Sequence, residues 1–142
     1  MKRAIIFSVL TFSLFLSMGS AFADHLPGSI SMENLRSEEV SGSIEAEYGQ
    51  QYFLPPLSSG KYVEVDFTLV NNGDSPFNVS YSDFFLQSGK KKFFPSKLSI
   101  YFKNSIFMST INPGMKKKSS ILFAIPDNVK DLDIRYTSDP TP

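Results

Sequence analysis

Two stretches of strict apolar and polar alternation limit this chain to one class of structure. From Tyr62 to Val70 the apolar residues Val63, Val65, Phe67 and Leu69 alternate with Tyr62, Glu64, Asp66 and Thr68. A period of two sends successive side chains to opposite faces of an extended strand, whereas a helix would scatter them around its circumference. Ser119 to Ile125 repeats the signature, with Ile121, Phe123 and Ile125 on one face and Ser120, Leu122 and Ala124 on the other. Each stretch is therefore expected to be a half-buried strand, one face on a core and the other in water. Val65, Phe67 and Phe123 are expected to meet between two sheets.

The remaining segments fit around these two. Ile44, Ala46 and Tyr48 alternate with Ser43, Glu45 and Glu47, suggesting a first strand, and Gly49 to Gly60 is a loop in which Tyr52, Phe53 and Leu54 plug one end of the core. Asn71-Asn72-Gly73-Asp74 is the strongest turn signal, because an Asn-Gly pair accepts positive φ. Phe77 to Tyr81, Phe84 to Gln87, Leu98 to Phe102, Ser105 to Ile111 and Leu132 to Tyr136 read as further strands, separated by Ser88-Gly89-Lys90, Asn112-Pro113-Gly114 and Pro126-Asp127-Asn128. Seven to eight short strands with turns every eight to twelve residues predict an all-β fold, an immunoglobulin-like two-sheet antiparallel β-sandwich over residues 41–137.

The flanks read differently. Residues 1–23 have the plan of a signal peptide: Lys2 and Arg3, an apolar run to Leu16, and Ala21-Phe22-Ala23 before Asp24. The apolar run is short of the ~20 residues needed to span a bilayer, so the mature chain is expected to have no transmembrane segment and to be exported to the periplasm or beyond. Residues 24–40 are polar and irregular and read as a mobile leader, and residues 138–142 as a frayed tail. The chain has 14 Lys and Arg, 14 Asp and Glu and no Cys. Without cysteine neither a disulfide nor a lipid-modified amino terminus is possible. Cleavage after Ala23 removes two of the basic residues and leaves a slight negative balance, which excludes the basic profile of a nucleic-acid binder.

The run Gly60-Lys61-Tyr62-Val63 through Val70-Asn71-Asn72-Gly73, then Asp83-Phe84, Gly89, Pro113-Gly114 and Ile121-Leu122-Phe123-Ala124-Ile125-Pro126, resembles a bacterial family of secreted immunoglobulin-like (telokin-like) domains of unknown function. A small secreted mycobacterial antigen is grouped with that family by structure. The resemblance covers about Tyr48 to Tyr136. It implies that the Asn-Asn-Gly turn crosses between sheets, where the local rule alone would close a hairpin.

Chemistry is sparse. The one histidine, His25, lies in the leader with nothing to orient it as a general base, so no enzyme activity and no cofactor are expected. Carboxylate pairs at Glu45/Glu47, Glu64/Asp66 and Asp131/Asp133 read as solvated strand faces. A mature start at Asp24-His25, with Met32, Met108 and Met115 as soft ligands, makes a copper-handling periplasmic protein the alternative. Tyr62, Tyr81, Tyr101 and Phe102 are candidates for an aromatic platform. If strands alternate up and down, with a reversal near Lys103-Asn104, then Lys61, Lys90, Lys91, Lys92, Lys116, Lys117 and Lys118 share one end and Asp74, Asp127 and Asp131 the other. The sequence thus predicts a non-enzymatic exported binding or accessory module. Its expected partner is an unknown protein or an anionic envelope component bound at the lysine end.

Overall fold

The structure, a computed structural model, describes residues 26–137 together with the backbone of residues 3–4. The rest of the signal sequence, Asp24, His25 and the tail from residue 138 lie outside the described residues. In chain order the strands are β1 (Arg3–Ala4), β2 (Ile30–Val40), β3 (Ser43–Glu45), β4 (Gln51–Phe53), β5 (Lys61–Asn71), β6 (Phe77–Val79), β7 (Phe84–Ser88), β8 (Lys91–Phe93), β9 (Ser109–Ile111), β10 (Lys116–Ile125) and β11 (Asp133–Tyr136). All pairings are antiparallel. The main sheet runs β1-β2-β5-β10, and opposite it lie the sheet β11-β7-β8 and the pair β6-β9. The protein is an all-β sandwich, as the alternation requires.

The core lies where the alternating faces meet. Val63, Val65, Phe67 and Leu69 of β5 and Ile121, Phe123 and Ile125 of β10 pack against Val79, Phe84, Leu86, Ile111 and Tyr136. The Phe67 and Phe84 rings lie 5.2 Å apart and Phe84 meets Tyr136 edge-on at 5.4 Å, geometries favoured by ring quadrupoles. Val65, Phe67 and Phe123 are buried together, as expected. The chain leaves β5 through Asn71 and enters β6, which pairs with β9 in the opposite layer, so the Asn-Asn-Gly turn crosses between sheets.

Four sequence expectations need correction. The stretch read as a mobile leader contains β2, which pairs with β5 along its length from Ile30↔Asn71 to Val40↔Tyr62. Its alternation is masked by a bulge between Glu33 and Arg36, where Asn34 takes φ 55°; Ile30, Met32 and Leu35 reach the core across that break of phase. Second, the outer face of the main sheet is not open to water throughout, because Val40, Ile44, Leu54, Tyr62, Phe102 and Leu122 form a second apolar cluster on it. Third, Leu98, Ile100 and Phe102 do not form a strand. Lys97–Tyr101 is a 3-10 segment capped by the Ser96 hydroxyl, and its period of three turns Ser99 and Phe102 inward while Ile100 and Tyr101 face out. Fourth, the first strand stops at Glu45, and Tyr48 sits in a turn.

Candidate interaction surface

The second cluster gives the sandwich an outer layer made of the hairpin β3-β4 and residues 96–104. Ile44 and, across the hairpin, Tyr52 point at the sheet, while Leu54 follows into the same cluster. The 3-10 segment seals the free edge of β10 with bonds a neighbouring strand would otherwise supply. The Ser99 hydroxyl accepts from the Leu122 N–H at 2.9 Å and donates to its carbonyl at 3.2 Å. Ser96 N–H also donates to the Leu122 carbonyl and Ser120 N–H to that of Asn104. The two pieces of the layer join where Lys103 N–H donates to the Glu45 carbonyl and where the Tyr52 and Tyr101 rings stack at 4.1 Å.

This layer turns large apolar groups toward solvent. Tyr48 is 92% exposed and Phe53 76%, and Ile100 and Tyr101 are exposed as well. Tyr48 and Gly49 are the central residues of the β3-β4 turn, with φ 57° and 74°, and Gln50 N–H donates to the Glu47 carbonyl across them. Such a turn needs positive φ at both central positions and favours Asn-Gly. A tyrosine there bears the clash of its Cβ with the backbone, and at this exposure it recovers no packing in return. On the outward face of the hairpin Phe53 stands opposite Ser43, whose hydroxyl donates to Gln51 Oε1 at 2.8 Å.

The residues singled out in the sequence fall elsewhere. Lys116–Lys118 pair with Val70–Thr68 whereas Lys61 pairs with Ile125, at the opposite end of the ladder and roughly 30 Å away at the rise of a strand. Lys90–Lys92 lie at the Lys61 end, because Ser88 donates to the Lys130 carbonyl just beyond β10. The seven lysines therefore do not share one end. The expected reversal at Lys103-Asn104 does not occur, since the segment before it is a 3-10 turn and not a strand. The aspartates are likewise divided: Asp74 follows β5 at the Lys116 end, while Asp127 and Asp131 join Lys61 and Lys90–Lys92.

The proposed aromatic platform is not formed either. Tyr62 and Phe102 are buried, with the Tyr62 hydroxyl bonded to the Pro55 carbonyl, and Tyr81 lies against Phe107. Only Tyr101 of the four belongs to the exposed layer, with Tyr52 as its partner. Among the copper candidates, His25 lies outside the described residues, Met32 packs on the core, and Met108 and Met115 are exposed on separate loops. Among the described residues no group of three or more His, Asp or Glu is placed to hold a metal ion.

Several carboxylates have structural partners: Asp66 bonds Ser120 and faces Arg36, Glu45 meets Lys103, and Asp133 meets Arg135. Burial pushes the carboxyls of Asp83 and Asp133 above the usual aspartate range, opposed in turn by a bond from the Ser80 N–H and by Arg135. Asp83 closes a capping box with Ser80. The aromatic turn was legible only as a residue out of place: Tyr-Gly stands where Asn-Gly is expected, within a stretch that alternation assigns to a strand.

Among the described residues no helix is long and apolar enough to cross a membrane. No curated protein matches the chain. Three solved structures resemble it. One, a candidate lipoprotein of Bacillus subtilis, is 17% identical with a TM-score of 0.49, the match covering 78% of this chain and 34% of that one. A functionally unknown protein of Listeria monocytogenes is 11% identical with a TM-score of 0.45, over 75% of this chain and 62% of that one. A β-sandwich protein of Clostridium difficile is 16% identical with a TM-score of 0.47, over 82% and 83%. The chain thus spans about a third of the Bacillus structure and less than two-thirds of the Listeria one. A family model described as a domain of unknown function, DUF4352, matches residues 31–141, taking in β2 from its second residue and every later strand. The chain belongs to the DUF4352 family of domains of unknown function.

Proposed function

We propose that this protein is a non-enzymatic binding module, exported through the signal sequence in residues 1–23, and that it meets a partner of the cell envelope through the aromatic outer layer on β3-β4 and residues 96–104. The observation that carries this reading is Tyr48, a large side chain held at φ 57° on a hairpin tip and 92% exposed. Local strain that recovers no packing is a mark of a site kept for contact. Exposed tyrosine and phenylalanine on a rigid frame supply contact area at little cost in side-chain entropy. The frame is rigid because the same hairpin buries Ile44 and Leu54 on its other side.

Photo-crosslinking from a benzoylphenylalanine introduced at position 48 or 53, in cells exporting the protein, tests the proposal. A discrete adduct from positions 48 and 53, absent from a control at Asp127, is expected. Equal labelling from all three, or labelling from the control alone, would overturn it.

A further inference from the structure

The turn that carries the chain from β5 to β6 holds a reactive pair. Asn72-Gly73 is the one asparagine of the chain followed by glycine. With no Cβ in the way, the Gly73 nitrogen can close on the carboxamide before it, and an attack within one chain needs no encounter of two molecules. Space favours the glycine, because a Cβ at position 73 would stand 2.9 Å from both Cβ and Oγ of Ser29. The side chain of Asn72 is exposed, with Nδ2 donating to Ser31 Oγ at a long 3.3 Å. The Gly73 nitrogen, by contrast, is firmly held. Its N–H donates to Asn71 Oδ1 at 2.9 Å, and that carboxamide is itself fixed by Nδ2 bonds to the carbonyls of Ser75 at 2.9 Å and Ile111 at 2.8 Å.

We propose that Asn72-Gly73 is a site of spontaneous deamidation and that Asn71 is the positioning residue that restrains it. The Gly73 nitrogen gives up its proton to hydroxide and bonds to Asn72 Cγ; the Cγ–Nδ2 bond breaks and Nδ2 leaves as ammonia, taking a proton from water. Water then opens the five-membered ring. Breaking the new bond leaves an aspartate at position 72, whereas breaking the old peptide bond routes the chain through Cγ as isoaspartate and adds one methylene to the backbone. Asn71 Oδ1 opposes the first step, because removing the proton it accepts would set a negative nitrogen against an oxygen lone pair. The reaction therefore proceeds when the turn opens locally, at a rate set by how often the Asn71 bonds are broken. Either product adds a negative charge two residues from Asp74, and the isoaspartate lengthens the crossing between the two layers. The site is independent of the aromatic layer.

Incubating the purified protein at mildly alkaline pH in water enriched in heavy oxygen, followed by peptide mass spectrometry, tests the proposal, since ring opening leaves a label at the modified residue. Label is expected first at position 72 and is lost in Asn72→Gln, whose larger ring closes far more slowly. The folded protein should convert roughly tenfold more slowly than a free peptide of residues 70–75, the factor that one hydrogen bond of ordinary strength supplies. The chain unfolded in urea should match the peptide, a comparison that needs no variant to fold. Asn71→Ala should convert roughly tenfold faster than wild type, and Leu122→Ala, which weakens the fold away from the turn, at the wild-type rate. Conversion of the folded protein as fast as the peptide, equal rates for Asn71→Ala and Leu122→Ala, or label appearing first at another asparagine would overturn the assignment.

Discussion

Single buried polar residues tie the layers of this sandwich together. Asn71, 1% exposed, donates from Nδ2 to the carbonyls of Ser75 and Ile111 and accepts the Gly73 N–H on Oδ1, so one side chain fixes both the turn and the opposite layer. Asn71→Ala would strand all three partners, and a buried unpaired group costs about 1–3 kcal/mol. A loss of about 3 kcal/mol in urea unfolding is expected; a loss below about 1 kcal/mol would show that the crossing is held by other contacts. The sequence marks Asn71-Asn72-Gly73 as a turn by local rules, but the Ile111 carbonyl lies forty residues away and no local rule reports it. Ser99 was invisible for the same reason, its hydroxyl replacing a backbone partner on a strand distant in sequence. Gly60 is the converse case: a Cβ at its φ of 94° would stand 2.6 Å from the Ile125 carbonyl, so this start of β5 admits only glycine.

Among the elements, β5 and β10 were readable because every inward position from Val63 to Leu69 and from Ile121 to Ile125 is apolar, with Lys117 and Ser119 on that face only at the start of β10. The outer face of β10 was misread at Leu122, since alternation tells which residues share a face and not whether another layer covers it. Leu122 is fully buried, its neighbour Ala124 on the same face exposed. Leu122→Ala is therefore expected to cost about 2–5 kcal/mol, and Ala124→Ser to stay within about 0.5 kcal/mol of wild type. Chemical denaturation of both variants decides it; near-equal stabilities would mean that the outer layer does not pack as described. Strand β2 was missed because its bulge breaks the period, and the 3-10 segment because Leu98, Ile100 and Phe102 mimic a period of two while burial follows a period of three.

For the molecule as a whole, the sandwich class followed from alternation and turn spacing, whereas the distribution of charge over its two ends did not. One mistaken element, a strand in place of the 3-10 segment, reversed the parity of everything after it and moved Lys116–Lys118 to the wrong end. The candidate surface was only partly legible, for exposure depends on the layer that β3-β4 and residues 96–104 build together. The central claim is that the fold carries strain at Tyr48 for the sake of a contact and not for its own stability. The melting temperature of Tyr48→Asn tests that most directly. Asparagine tolerates positive φ at this turn position, so relief of about 1 kcal/mol, or a rise of about 4 °C, is predicted. A fall in melting temperature would show that Tyr48 stabilises the fold, and would contradict the account.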